Sequence, residues 1–270
     1  MAVSTSSAMP DSAPEVHLRA RVHRHLSAEK LAQLDASSLH FRSLVSHDLT
    51  EMMDLHSEWF PVVYQESFFQ KSTNGEILTI AATYSDATRS ITDGSSCSGG
   101  VCDDAQEVDD ILGMVTLGVN CEHHITDVMN VLGDSYVPFE DGTDAGSTHV
   151  KTNSLAYILT LGVVDEYRRR GLAREMLTRS VDHIIQHMPE TLALYLHVIP
   201  YNVAAVQLYE SMGFLRVASF DSFYHIHGQS YGSFLYALYL NGGRPPLAFR
   251  LWNMLGSTLE PGWGEWLLSR

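Results

Sequence analysis

The stretch Arg168-Arg169-Arg170-Gly171-Leu172-Ala173 follows an apolar run, Leu155 to Val164, and opens an amphipathic segment ending near Met188. Together these read as a strand, a turn that needs a small residue, and a helix whose first turn is basic. Such a junction holds a pyrophosphate. The first N–H groups of the helix lack intrahelical partners, its dipole presents a positive end, and Gly171 and Ala173 let the backbone approach. The same six residues also read as an exposed basic helix start, and the rest of the chain decides between the two.

The 270 residues suffice for one sizeable core with tails or insertions. An apolar content of 45% describes a globular protein, as does a mean hydropathy of -0.05. No apolar run is long enough to predict a bilayer-spanning helix. A formal charge of -15, from 17 basic and 32 acidic residues, repels phosphate backbones, so nucleic acid is not an expected partner. Acidic residues cluster at Asp103, Asp104, Glu107, Asp109 and Asp110, and again at Glu140, Asp141 and Asp144. Both clusters read as solvated loops, with a docking surface for basic peptides as the alternative. Cys97, Cys102 and Cys121 show no Cys-x-x-Cys spacing and no disulfide framework, which fits a reducing, cytosol-facing location. Cys121-Glu122-His123-His124 has no second ligand cluster, so no metal is expected.

Residues 1–38 begin rich in Ser, Ala and Pro and then carry Arg19, Arg21 and Arg24; a flexible tail or a transit peptide is expected there. Leu39 to Val45 reads as a strand and Asp48 to Trp59 as a helix ended by Pro61; a short helix begins over Tyr64 to Phe69. Strands are expected over Ile77 to Tyr84 and Ile111 to Asn120, and the Ser/Gly/Asp-rich residues 85–110 between them as a loop insertion. Residues 121–150 read as a second irregular acidic insertion. Downstream, strand 155–164 precedes a helix with Ala173, Leu177, Val181, Ile184 and Met188 on one face, closed by Pro189. Leu192 to Ile199 is a strand, and Asn202 caps a helix that Gly213 stops. Two last strands, about 214–226 and 231–240, turn at Gly228. The order β-α-α-β-β-β-α-β-α-β-β predicts an α/β fold with helices on both faces of a sheet.

The spacing Arg168-x-x-Gly171-x-Ala173 resembles the acetyl-CoA signature of the GCN5-related N-acetyltransferases, the GNAT superfamily. Leu155-Ala156-Tyr157-Ile158-Leu159-Thr160-Leu161-Gly162-Val163-Val164 resembles that family's motif A. Tyr195-Leu196-His197-Val198-Ile199, with Asn202, Ala205 and Leu208-Tyr209-Glu210, resembles its motif B. The stretch from Tyr236 through Asn241-Gly242-Gly243-Arg244-Pro245-Pro246, together with Trp59-Phe60-Pro61 and Tyr64, resembles the membrane-associated N-alpha-acetyltransferases of the NatF type. The similarity spans 39–246 and implies a GNAT fold with a mixed central sheet of about seven strands.

Acetyl transfer needs a held thioester, an oxyanion site, a deprotonated amine and a proton for the leaving thiolate. The resemblance implies that backbone amides of Leu161, Gly162 and Val163 bind the acetyl and pantetheine groups of acetyl-CoA. Gly162 suits a place where cofactor must pass. Arg169, Arg170, Gly171, Leu172, Ala173 and Arg174 would then hold the pyrophosphate, with Arg168 free to point elsewhere. Tyr157 and His197 match the two catalytic residues, although a strand histidine also reads as a hydrogen-bonded core residue. Free imidazole titrates near ~6.5, an α-amine near ~8 and lysine near ~10.4, which suits a histidine base to protein N-termini. Asn202 and Tyr209 match cofactor-side residues; Tyr209 either donates a proton to the thiolate or packs its helix. Phe60, Tyr64, Leu159 and Tyr224 match positions that bind the substrate peptide. One departure stands out: animal members carry a glutamate where this chain has Val63, so a preference for Met-Lys termini does not carry over. Phe223 likewise stands where a tyrosine can occur.

In 247–270, Leu247, Leu251, Met254 and Leu255 share a helical face, and Trp263, Trp266, Leu267 and Leu268 form a second apolar group. Such a segment lies in a membrane interface or packs on the domain. The resemblance implies the former, in a cytosol-facing enzyme peripheral on the Golgi or plasma membrane; soluble cytoplasmic and plastid locations are the alternatives. The expected activity is direct transfer of acetyl from acetyl-CoA to protein N-termini, Met-initiated ones foremost. Acetylation of lysines (histones included) or small amines, and a non-catalytic acetyl-CoA-binding scaffold, are its rivals.

Overall fold

The computed structural model describes Glu29 and residues 33–85, 109–119, 122–133, 149–152 and 154–255. Most of the expected N-terminal tail, the Ser/Gly-rich part of the first insertion, the cluster Glu140, Asp141 and Asp144, all three cysteines and the Trp263–Leu268 group lie outside the described residues.

Among the described residues nine strands and six helices follow one another in the order read from sequence, with three elements added within 122–151. β1 is His40–Arg42, α1 Leu49–Trp59, α2 Glu66–Thr73, β2 Leu78–Tyr84 and β3 Asp110–Gly118. β4 (Glu122–His124), α3 (Ile125–Val131) and β5 (His149–Lys151) come next. β6 is Leu155–Val163, α4 Leu172–His187, β7 Ala193–Val198, α5 Val203–Ser211, β8 Leu215–Ile226, β9 Gln229–Tyr239 and α6 Leu247–Leu255. The main sheet has seven strands in the order β1-β2-β3-β6-β7-β9-β8. β6 and β7 run parallel, whereas β1/β2, β7/β9 and β8/β9 run antiparallel, so the sheet is mixed.

The sequence reading of 121–150 as wholly irregular is corrected over 122–131 and 149–151. β4 pairs antiparallel with β5, His123 opposite Val150. α3 is fixed by burying Val128, Val131 and Leu132 in one cluster with Leu155, Tyr195, Val217 and Leu235. Tyr239 Oη donates to the carbonyl of Val131 at 2.7 Å, satisfying one of the acceptors that a helix end leaves open. A second correction concerns Asp109 and Asp110, read as part of an acidic loop. Asp110 is buried at the start of β3, and Asp109 takes two hydrogen bonds from Arg42 at 2.7 and 3.0 Å.

Contacts cluster into two compact units whose division falls inside β3 and β6. Among the described residues, one unit holds 33–115 and 161–176, and the other 116–160 and 177–255. In the first, α1 buries Met52, Leu55 and His56 on one face. It stops at Trp59 because Phe60, preceding Pro61, is extended (φ -122°, ψ 130°). In the second, β8 and β9 join through His227 and Gly228, both at positive φ (50° and 77°), as a two-residue hairpin turn requires. Further along this hairpin three residues of β8, Asp221 to Phe223, face the single Gly232 of β9. A Cβ on Gly232 would lie 2.6 Å from the Phe220 carbonyl oxygen, so only glycine admits the bulge. The Asn241-Gly242-Gly243 segment folds back on the neighbouring loop. Asn241 Nδ2 donates to the carbonyls of Met188 and Thr191, and Gly243 lies on the Leu192 carbonyl where no Cβ fits.

Candidate active site

The parallel ladder between β6 and β7 covers only Leu155↔Ala193, Ala156↔Leu194 and Tyr157↔Tyr195. β6 runs on to Val163 and β7 to Val198, the latter now paired only on its β9 side. A parallel ladder that opens part-way along leaves backbone N–H and C=O groups available to a ligand. Along β6, Ala156, Ile158 and Thr160 are buried, while Tyr157, Leu159 and Leu161 alternate on a half-open face.

Tyr157 and His197 meet where the ladder ends. Tyr157 Oη and His197 Nδ1 share a hydrogen bond of 3.2 Å. Phe223, presented by the β8 bulge, stacks on the imidazole at 3.9 Å with an interplanar angle of 15°. The other ring nitrogen, Nε2, is 3.4 Å from Asp127 Oδ1, within ion-pair reach, yet it is not aligned for a hydrogen bond and makes none. The His197 side chain is only 1% exposed. Tyr224, expected at the peptide, donates its hydroxyl to the His197 carbonyl at 3.0 Å and so ties the hairpin to β7.

Three neighbours of this pair were given no role at the site by the sequence reading: Asp127, which it did not single out, His123, named only in a discounted metal cluster, and Tyr195, named only within motif B. Tyr195 Oη is 2.8 Å from His123 Nδ1, and its ring is 4.8 Å from that of Tyr157. Burial pushes His123 down to about 4, against the nearby Asp127 charge and bonds to the backbone of Thr152 and Leu155, so its ring is neutral at pH 7. The apolar spacing Ile125, Val128, Val131, Leu132 was the signal for the helix that carries Asp127, hidden by the brevity of the run.

The other unit carries the expected cofactor strand and turn. A Cβ on Gly162 would lie 2.0 Å from Cε3 of Trp59 and 2.5 Å from Cζ3, so the indole rests directly on the glycine. Phe60 and Tyr64 pack with Phe68 and Phe69 around His56, their ring centroids 5.2–5.6 Å from the imidazole. Burial raises the Tyr64 phenol to about 12. In the turn, Arg169 and Gly171 both take left-handed backbone (φ 64° and 86°) ahead of α4. Such a pattern turns successive N–H groups inward as an anion-binding nest. Arg168 is committed elsewhere, its Nε donating to the Val163 carbonyl and its Nη2 paired with Asp165 at 2.7 Å. The Arg170 guanidinium lies 4.8 Å over the Tyr167 ring; Arg174 is exposed and Ala173 half-buried, after a buried Leu172. The nest fits the pyrophosphate of acetyl-CoA, whereas the space left by the missing side chain of Gly162, expected to let cofactor pass, is taken by the indole of Trp59.

Asn202 caps α5, its Oδ1 accepting from Ala205 N at 3.3 Å. Tyr209 is buried edge-on to Phe214 at 5.5 Å, and burial raises its phenol above the usual 10. A phenol held that high gives its proton to a thiolate near ~8.5 only uphill, so hydrogen-bond donation is the role it suits.

Three buried groups set an acid limb of stability. Burial depresses His56 and His123 to about 4 each, and burial raises Glu51, which accepts from Ile111 N, to about 7. Below pH 6.5 the unfolded chain binds two histidine protons that the folded chain refuses. Between 4.5 and 7 the folded chain instead holds the Glu51 proton that the unfolded chain releases. The net is near one proton, so these groups make stability fall by about 1.4 kcal/mol per pH unit between pH 6.5 and 4.5. Thermal melts across that range check the slope, and a flat profile contradicts it.

Comparison with known proteins carries the same assignment. The sequence profile of the acetyltransferase (GNAT) family matches residues 49–214. The chain is 30% identical to N-alpha-acetyltransferase 60 of Xenopus tropicalis over 207 residues, 76% of this chain and 71% of that one. It is equally 30% identical to histone acetyltransferase MCC1 of Arabidopsis thaliana over 214 residues, 77% of this chain and 73% of that one. Among solved structures, Arabidopsis thaliana NAA60 in complex with a bisubstrate analogue superposes with a TM-score of 0.53 at 31% identity, covering 76% of this chain and 99% of that one. With a parallel ladder that opens beside a tyrosine–histidine pair, a nest-like turn ahead of a long helix and the family profile across both, the chain belongs to the GNAT family of acetyltransferases.

Proposed function

We propose that this chain is a protein N-terminal α-amino acetyltransferase that moves acetyl directly from acetyl-CoA to the free amine. The carrying observation is the Tyr157–His197 pair at the end of the β6/β7 ladder. The similarity to Arabidopsis thaliana NAA60, solved in complex with acetyl-CoA, supports the choice of cosubstrate. Acetyl-CoA supplies the activated acyl group. The backbone of Leu161, Gly162 and Val163 holds its acyl end, and the turn from Arg169 to Arg174 holds its pyrophosphate. The Tyr157 oxygen takes a proton from the substrate ammonium as its own proton passes to His197 Nδ1. The carboxylate of Asp127 beside Nε2 stabilises the imidazolium so formed. Asn202 and Tyr209 line the cofactor side, and Phe60, Tyr64, Leu159 and Tyr224 the peptide side.

A second reading, acetylation of internal lysines, has the similarity to a plant histone acetyltransferase behind it. Mass spectrometry separates the two. A peptide with a free Met α-amine is expected to be acetylated there, and one blocked at that amine but carrying lysine is expected to react far more slowly. Acetylation of the blocked peptide alone overturns the proposal. In the same assay Val63, 93% exposed and uncharged beside Tyr64, is expected to leave Met-Lys peptides without advantage. Val63→Glu raises their kcat/KM by about two- to fivefold, the worth of one exposed charge pair.

Membrane attachment through 247–270 is part of the same proposal. Leu247 and Leu251, one turn apart on α6, are 49% and 47% exposed, and the Trp-rich residues beyond can join them in an interface. Among the described residues no helix is long and apolar enough to cross a membrane. Deleting 247–270 is expected to abolish co-flotation with phospholipid vesicles; unchanged flotation removes the idea.

A further inference from the structure

Tyr157 and Tyr195 stand opposite each other in the β6/β7 ladder and His197 follows two residues on, so the three side chains share one face of the sheet. Their rings form a triangle. Tyr157 lies 4.8 Å from Tyr195 and 5.8 Å from His197, and Tyr195 lies 6.4 Å from His197. The third corner, Tyr195, has no part in the proton transfer described above. It is buried in one cluster with Val128, Val131, Leu155 and Leu235, and its hydroxyl meets Nδ1 of the equally buried His123 at 2.8 Å. His123 stands in β4, opposite Val150 of β5. The same insert carries Asp127 on α3 to Nε2 of His197. One insert therefore reaches both members of the catalytic pair: Asp127 at the imidazole and, through the Tyr195 ring, His123 at the phenol.

A phenol that passes its proton along a 3.2 Å hydrogen bond tolerates little swing of its ring. A hydrogen bond at the far end of Tyr195 fixes how that ring stands, and with it the wall that Tyr157 leans on. The chemistry of His123 suits a holder rather than a second base. Burial keeps it neutral at pH 7, so it does not compete with His197 for the charge of Asp127, which lies near both. We propose that His123 and Tyr195 are positioning residues for acetyl transfer, their hydrogen bond setting the ring against which Tyr157 is aimed at His197 Nδ1. The inference rests on the Tyr157–His197 reading above and extends it to the β4–α3–β5 insert.

The test follows kcat for a Met-initiated peptide, acetyl-CoA affinity by calorimetry and melting temperature, all in the full chain. Tyr195→Phe keeps the ring and removes the hydroxyl. It is expected to lower kcat by about three- to tenfold, the worth of one hydrogen bond, with acetyl-CoA affinity unchanged. His123→Leu is expected to do the same, and the double variant to be no worse than either single one. His123→Asn, which sets an amide atom where Nδ1 stands, is expected to recover most of the loss. In a Tyr157→Phe background, Tyr195→Phe is expected to cost little further, because no hydroxyl is left to aim. Should His123→Leu not fold, Tyr195→Phe measured with and without the Tyr157 hydroxyl decides alone. Lower melting temperatures with kcat unchanged, or an equal loss of rate in both backgrounds, overturn the positioning role and leave the catalytic pair standing. Tyr157→Phe turning over as fast as the wild type overturns the catalytic reading, and this inference with it.

Discussion

His197→Ala is expected to lower kcat for a Met-initiated peptide by about 10²–10⁴-fold, the usual worth of a positioned acid–base group. Acetyl-CoA affinity should barely change, because the imidazole touches Tyr157, Phe223 and Asp127 and no residue assigned to the cofactor. Tyr157→Phe keeps the ring against Tyr195 and removes only the hydroxyl, so its kcat should fall by a comparable factor with the fold intact. Effects of groups that work as one relay are far from additive. The double variant should therefore be little worse than the weaker single one. Asp127→Asn preserves size but not charge. It is expected to cost less, about tenfold in kcat, since the imidazolium formed during the reaction loses the carboxylate 3.4 Å from Nε2. Steady-state rates and calorimetry on the four variants check the set. Turnover unchanged in both His197→Ala and Tyr157→Phe would remove the catalytic assignment outright.

Why this pair was legible in the sequence while its surroundings were not is a matter of range. Tyr157 and His197 sit in apolar runs that read as strands, and the resemblance singled out the two residues within them; the β6-turn-α4 junction announces itself through Gly171 and the basic turn before it. Asn202 was readable as a cap because capping is decided within three residues, and the structure bears it out. The partners of His197 are set otherwise. Asp127 comes from a seven-residue helix embedded in acidic, glycine-bearing sequence, and what folds that helix is burial of Val128 and Val131 against Val217 and Leu235, far along the chain. Phe223 reaches the imidazole only because β8 bulges, and the bulge is permitted by Gly232 on another strand. Tertiary packing, rather than local propensity, made these choices. Tyr224 is a milder case: its position followed from the resemblance, but its hydroxyl is spent on the His197 carbonyl.

Gly162→Ala tests the tightest of these long-range contacts, and its sign is diagnostic. In an ordinary strand, alanine in place of glycine is expected to gain about 0.5–1 kcal/mol, because glycine loses more backbone freedom on folding. Here the new methyl would lie 2.0 Å from Trp59 Cε3, 2.5 Å from Cζ3 and 2.7 Å from Cδ2. Those are atoms of a rigid bicyclic ring, whose other neighbours are His56 and Phe60. The indole or the strand must therefore shift, at a cost of about 1–3 kcal/mol for an overpacked site. Acetyl-CoA affinity should fall by at least about tenfold, since the displaced strand is the one assigned to hold the acyl end. Trp59→Ala alone should also destabilise, by leaving a void on α1. In the double variant the methyl meets no ring, so its measured loss should be smaller than the sum of the single losses by about 1 kcal/mol or more, as contacting positions behave. Thermal denaturation and calorimetry on the three variants decide the matter. If Gly162→Ala melts higher than the wild type and binds acetyl-CoA as well, Trp59 does not rest on this strand and β6 is no more crowded there than an ordinary one.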